Sequence, residues 1–365
     1  MFIMENNYTV ETINTSVNPV IGLLIFILIF FVYLHITAQW KKSEDLEVYE
    51  IDFVNQPQLQ EVCEIKQPVL FKMDYAASFY QRVQLPLLAK YDALDVKIKD
   101  IYDYYNPTTT TVESLVLPFH SARKLTESDS KQRYISENNG EFIDESGLAS
   151  LFSTLNDHLR PDYTIFTKYD VMFGSNHAAT PLKYHTHSRY YITVTTGKIH
   201  VKMTPWKSSK YLYPSKNYET LEYTSPIQVW NPQHKYLGEM EKLRFLEFDV
   251  FPGYVLCIPP YWWYSFQYTS DATTTVCSLQ YNTMVNSVAN SYDWSLYYLK
   301  KNNIQLGGGK TETSISAIDD EPVVVNTEVR PASEIIEIEL GQRANIPLPP
   351  VENKQIVTNS GIYNV

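Results

Sequence analysis

The sequence predicts a mainly β domain, a sandwich or barrel with flanking helices, behind one N-terminal transmembrane helix. Three observations predict it. A 19-residue run near the N-terminus carries no formal charge. Many short apolar stretches follow at close spacing, separated by turn residues. The chain also holds 29 tyrosines among its 365 residues, and Tyr favours strands and half-buried surfaces.

The uncharged run is Val20 to Ala38, "VIGLLIFILIFFVYLHITA". At ~1.5 Å rise per residue it reaches ~28 Å, the hydrocarbon thickness of a bilayer. Trp40 stands where an interfacial aromatic belongs. His35 lies near the end, where a neutral ring can snorkel to the surface. A cleaved signal peptide would carry a basic leader, yet residues 1–19 contain Glu5 and Glu11 and no Lys or Arg. The reading is an uncleaved anchor at 20–40 with a short extracytoplasmic segment, 1–19. Lys41 and Lys42 put the C-terminal side in the cytoplasm. The sequons at Asn7 and Asn14, with none after the span, agree with this. Glu44, Asp45 and Glu47 dilute the basic flank in the linker, 41–47.

Residues 48–303 read as one domain. "QPVLFKM" (67–73) is a strand. "AASFYQRVQLPLLAKY" (76–91) is helical, broken by Pro86. "LDVKIKDIYDY" (94–104) alternates as a strand does. "SGLASLFSTLNDHL" (146–159) predicts one helix capped by Ser146. Strand signals then dominate: "YTIFTKYDVMF", "YYITVTTGKIHVKM", "KLRFLEFDVF", "GYVLCIPP" and "TTTVCSLQYN". The composition changes near Leu306. From there to Val365 four Lys/Arg face nine Asp/Glu, net −5 of the chain's −11. Residues 304–365 therefore predict an acidic, disordered tail that offers a surface to a protein partner. Within it "IPLPPV" (346–351) fits a polyproline ligand, or simply proline in a floppy tail.

Net charge −11 lacks the electrostatic footprint of phosphate-backbone binding, so no nucleic acid is expected. Cys63, Cys257 and Cys277 form no CxxC pair, which reads as buried thiols in a reducing compartment.

The chemistry concentrates in "TPLKYHTHSRYYITVTTGK" (180–198). His185 and His187 are two apart, so on a strand both imidazoles face one side and can converge on a metal. No acid lies in this run to complete the site. The simpler reading is two satisfied His on a strand face.

The same run, followed by "FPGYVLCIPPYWWYSFQ" (251–267) and preceded by "EIKQPVLFKM", resembles the JmjC/cupin-like branch of the iron- and 2-oxoglutarate-dependent oxygenases. The resemblance spans about residues 48–300. It implies a double-stranded β-helix, a jelly roll with iron near its mouth. It implies that Trp262 and Trp263 pack in the core under that mouth. It also implies that Lys183, His185 and Tyr264 occupy the positions of the His, carboxylate and His ligands, so all three are altered. Lys198 falls on the Lys that pairs with the distal carboxylate of 2-oxoglutarate, Thr180 on a pocket position, and Arg189 on a position commonly Asn. A second alignment matches His185-Thr186-His187 to the His-x-His of cupins, with the acid near Tyr190 and the later His again at Tyr264.

A Lys-His-Tyr set is a poor ferrous site, because an ammonium has no lone pair to give. Three readings follow. The first is a membrane-anchored pseudo-oxygenase acting as a binding or scaffold module, with Lys183, Lys198 and Arg189 making a basic pocket. The second is a working Fe(II)/2-oxoglutarate hydroxylase that uses His185, His187 and an acid such as Asp170 or Asp249. The third is a structural, membrane-associated part of a large DNA virus particle, suggested by the Tyr- and Asn-rich composition.

Overall fold

The structure is a computed structural model that describes residues 18–302, apart from 54, 74–75, 107–111, 219–220 and 270–272. The sequons at Asn7 and Asn14 and the acidic tail lie outside the described residues. The described residues all belong to one unit.

The chain begins with α1 (Pro19–Gln39). Asn18 caps it by accepting from the Val20 amide, and Pro19 fills its first position, where a missing N–H costs nothing. Its side chains along the apolar run are exposed apart from half-buried Ile36 and Thr37, and it is long and apolar enough to cross a membrane. The first third of the domain then mixes short strands and helices. These are β1 (Tyr49–Asp52), α2 (Gln56–Cys63), β2 (Val69–Lys72), α3 (Ala77–Arg82), β3 (Asp95–Asp100), β4 (Leu115–Pro118), α4 (Phe119–Ser128) and β5 (Tyr134–Ser136). Next come α5 (Gly140–Glu145), α6 (Ala149–Ser153) and α7 (Asn156–Leu159).

The strand-rich part follows: β6 (Thr164–Gly174), β7 (Lys183–Tyr184), β8 (Arg189–Thr196) and β9 (Ile199–Thr204). After α8 (Ser209–Leu212) come β10 (Ser215–Asn217), β11 (Glu222–Thr224) and α9 (Leu237–Met240). The last strands are β12 (Leu246–Val250), β13 (Tyr254–Ile258), β14 (Trp263–Tyr268) and β15 (Thr275–Thr283), before α10 (Met284–Ala289) and α11 (Ser291–Lys301).

Two sheets result. One has nine strands in the order β1-β2-β13-β8-β15-β6-β5-β3-β4, and the other six in the order β10-β11-β7-β14-β9-β12. All pairings are antiparallel except β1 with β2. The chain repeatedly crosses between the sheets. β6, β8, β13 and β15 lie in the first, and β7, β9, β12 and β14 in the second. Ile192, Val194, Val201, Met203, Leu256 and Phe266 meet between the sheets. The opposite face of the nine-stranded sheet, with Tyr191, Val255, Cys257 and Leu279, is covered by Leu59, Phe79, Phe142 and Phe152 of the helices. Both faces of β8 are thus buried, and its sequence reads as an unbroken run rather than an alternation. In β9, His200 and Lys202 alternate with buried Ile199 and Val201, because only one face is covered.

Three expectations change. "YYITVTTGKIHVKM" is two strands in different sheets, broken at Gly197. Gly197 has φ +76°, and a Cβ there would stand 2.4 Å from Thr274 Oγ1, so only glycine fits. The expected helix over 146–159 is a chain of short turns. Ser146 closes α5 instead of opening a helix, and Gly147 at φ +69° ends it. The winding lets Phe142, Ile143, Leu148, Phe152, Leu155 and Leu159 all reach one core. The strand expected to Tyr104 stops at Asp100, whose carboxylate accepts from the Tyr102 amide and starts a 3-10 turn. The three cysteines are free and buried, with the Cys63 and Cys257 thiols 3.4 Å apart.

"PPYWWY" forms the turn into β14. Tyr261 adopts φ +66° and its amide donates to His185 O at 2.9 Å. Trp262 enters the core between the sheets and donates to Lys66 O at 3.0 Å. Trp263 packs on the other face of the six-stranded sheet and donates to Ser209 Oγ at 2.7 Å. Both are buried, as core packing requires.

Candidate functional site

A cavity of about 320 Å³ opens at one end of the two sheets. Its wall includes Lys183, His185, His187 and Tyr264, so the fold does bring these four together. Strand register explains it. Lys183 on β7 lies directly opposite Tyr264 on β14, and Tyr264, Phe266 and Tyr268 point between the sheets.

The Lys183 ammonium donates to Glu137 Oε2 at 2.5 Å, and Glu137 is itself buried just after β5. Glu137 Oε1 accepts from Lys99 Nζ at 3.3 Å. Lys99, on β3, also pairs with Glu222 and donates to Tyr104 Oη at 3.0 Å. Two ammoniums and two carboxylates alternate in this network, and their charges cancel. Burial alone would raise the Glu137 pKa, but Lys183 and Lys99 outweigh it and hold the carboxyl at about 2. Burial opposes the Lys99 and Lys183 charges, and the carboxylates reverse that and raise both. Burial raises the Tyr264 phenol well above its ordinary value, with Tyr190 and Glu137 adding to it. Tyr264 is therefore a neutral phenol at neutral pH.

Asp170 on β6 shares the cavity. It accepts from the amides of Asn138 and Asn139, each at 2.7 Å. Asn138 adopts φ +66° to aim its amide, a conformation Asn tolerates better than most residues. Burial lifts the Asp170 pKa to about 6 despite these bonds and Lys168.

The two histidines differ. His185 Nδ1 accepts from the His187 amide at 3.2 Å, which leaves Nε2–H to donate to Ile258 O at 3.1 Å. Both ring nitrogens are used by the backbone, so His185 has no lone pair for a metal. His187 Nδ1 faces Asn282 Oδ1 at 3.2 Å and must donate to it. Its Nε2 has no hydrogen-bond partner among the described residues. Burial holds His185 well below its usual pKa and His187 at about 4.

The other expected pocket residues do not reach the cavity. Arg189 points to the helical face of its sheet, one residue out of phase with Tyr190. There it donates to Gln60 Oε1 at 2.9 Å and to Glu64 Oε1 at 2.5 Å. Lys198 pairs with Asp249 at 3.1 Å at the surface, and Asp249 also accepts from His200 at 2.6 Å. Thr180 is a strand anchor: its hydroxyl accepts from the Phe266 amide at 3.0 Å, and its carbonyl accepts from Ser265 Oγ at 2.5 Å. The basic pocket expected from Lys183, Lys198 and Arg189 is thus not assembled. Asp249 cannot join the two histidines.

A ferrous oxygenase centre needs two imidazoles and a carboxylate around open positions. Lys183, His185 and Tyr264 do not fit it, since one is a paired ammonium, one has both nitrogens engaged and one is a neutral phenol. Among the described residues no group of three or more His, Cys, Asp or Glu is placed to hold a metal ion. The residues for 2-oxoglutarate fit no better, because Lys198 is paired outside the cavity.

Sequence reasoning missed Glu137, Lys99 and Glu222. They sit 38 and 123 positions apart in the pairs they form, on segments with no local motif. It also missed the aromatic rim, Phe166, Trp294, Tyr297 and Tyr298, most of it from α11.

The histidines predict an acid-sensitive domain. Both bind protons less readily folded than unfolded, so stability is full above their unfolded pKa of ~6.5 and falls as pH drops toward 4. Asp170, with a raised pKa, works in the opposite sense below pH 6 and offsets part of the loss. His187→Gln should remove about 1–3 kcal/mol of the loss between pH 6.5 and 4, allowing for screening at a partly exposed ring. Urea midpoints across that range, read on both proteins, check it.

No protein-family model matches this chain, and no curated protein matches it significantly.

Proposed function

We propose that the chain is a membrane-anchored, cytoplasm-facing binding or scaffold module with a double-stranded β-helix core, of the JmjC/cupin-like kind but without oxygenase chemistry. The strand orders β6-β15-β8-β13 and β7-β14-β9-β12, with the chain alternating between the two sheets, support the jelly-roll reading. The exposed, uncharged α1 followed by Lys41 and Lys42 supports the anchor and its orientation.

One observation carries the functional reading. Lys183, which the resemblance aligns with the first metal ligand, holds an ammonium paired with buried Glu137 at 2.5 Å. A fixed positive charge there replaces a metal and repels one. Lys168 and Asp170 add one further charge of each sign. A cavity with cancelled charge and an aromatic rim suits a small polar guest of no net charge better than a dianion such as 2-oxoglutarate.

The test is metal content. The full chain in detergent is incubated anaerobically with ferrous iron, manganese or zinc, then desalted. The expected result is no retained metal for any of the three. About one equivalent, lost in His187→Ala, would overturn the reading, since His187 Nε2 is the imidazole nitrogen of the pair left unpartnered.

A further inference from the structure

Exposed apolar side chains of α10 and the start of β6 are tied to α1. α10 packs along α1, and Trp40 Nε1–H donates to Ala289 O at 3.1 Å. Met284 and Val288 of α10 are exposed, Met284 to 61%. The Met284 amide donates to Tyr163 O at 3.0 Å, which joins α10 to the tip of β6. That tip reads Tyr163-Thr164-Ile165-Phe166, with Tyr163 85% and Ile165 62% exposed. Phe166, on the opposite face of β6 from Ile165, lines the cavity, its ring 6.1 Å from that of Trp294.

Exposed apolar side chains gathered on two joined segments mark an interaction site. Its position says what covers it. Trp40 is the residue at which α1 reaches the membrane surface, and one hydrogen bond ties it to α10. The patch is thus held beside the lipid at high effective concentration, so modest apolar affinity is enough. Tyr and Trp at its border suit a zone that is apolar on one side and wet on the other.

We propose that Tyr163, Ile165, Met284 and Val288 rest in the lipid surface of the membrane that α1 spans, and that the cavity, lined on this side by Phe166, opens toward the headgroups. This rests on the anchor reading above. A guest would then reach the cavity from the membrane surface, which narrows it to a polar headgroup or an amphiphile partitioned there.

Depth-dependent quenching tests it on the full chain in phosphatidylcholine nanodiscs. Single cysteines at Ile165→Cys and Met284→Cys carry an environment-sensitive fluorophore, and the native thiols are buried. Phe251→Cys is the control. It lies beyond Pro252, which bridges to Val194 at the far end of the strands, while Thr164 pairs with Thr283 at the near end. On β15, Val276 lies opposite Val194 and Thr283 opposite Thr164, so seven residue steps, ~24 Å, separate the two levels. Ile27→Cys reports on the anchor. Lipids spin-labelled near the headgroup should quench positions 165 and 284 several-fold more than 251. Lipids labelled deep in the chain should quench 27. Quenching at 27, with 165 and 284 no different from 251, overturns the docking surface alone. No quenching at 27 overturns the anchor, and the docking surface with it.

Discussion

Replacing Glu137 by Gln is expected to destabilise the domain by about 3–5 kcal/mol. The side chain keeps its shape and loses its charge. Lys183 then has no carboxylate within reach, and Lys99 keeps Glu222 alone. Lys99 is buried and Lys183 is only 15% exposed at the cavity wall, so neither ammonium is fully hydrated in the folded domain. The cost is that of stranded charge, not the value of one hydrogen bond. The double variant Glu137→Gln/Lys183→Met should therefore recover much of the loss, because it removes one charge of each sign. Equilibrium denaturation of the three proteins checks both results. A single-variant cost below about 1 kcal/mol would show that the pair is solvated, and would remove the support for a charge-plugged cavity. The same network shapes the acid limb. Glu137 is depressed to about 2, so its stabilisation is present above its unfolded pKa of ~4.5 and disappears as pH falls through 2. That loss lies below the window in which His187 titrates.

Trp262→Ala is expected to cost about 3–5 kcal/mol. The indole is 1% exposed, fills the space between the sheets and donates to the carbonyl of buried Lys66. Alanine leaves a cavity and an orphaned acceptor together. Trp262→Phe should fall between, since it keeps most of the volume and loses the N–H. Tyr264→Phe is the contrast. It removes a hydroxyl at the cavity wall and keeps the ring, so its cost should be about 1 kcal/mol. Thermal denaturation of the three variants ranks them. A Trp262→Ala protein as stable as the parent would mean that the indole serves the cavity and not the core.

These two predictions depend on different kinds of information. Trp262 as a core residue was expected through the resemblance carried by "FPGYVLCIPPYWWYSFQ", which implies that both indoles pack under the barrel mouth. Glu137 was not legible. It follows a three-residue strand, in a stretch that reads as a polar turn, and its partner Lys183 is 46 positions away.

The sequence alone determined what depends on neighbours along the chain. An uncharged run of 19 residues must form a helix that satisfies its own backbone, and its length sets what it can cross. Apolar runs between turn residues located β6, β8, β13 and β15. Tertiary structure decided what depends on facing. A strand has two faces, and period two separates them without saying which points inward. Where both are buried, as in β8, even that phase disappears from the pattern. So Arg189 turned to the helices and Tyr190 to the cavity, and the basic pocket read from sequence did not assemble. Whether an ammonium is a ligand position, an anion anchor or half of an ion pair is set by which carboxylate the fold delivers within 3 Å. For Lys183 the fold delivers Glu137.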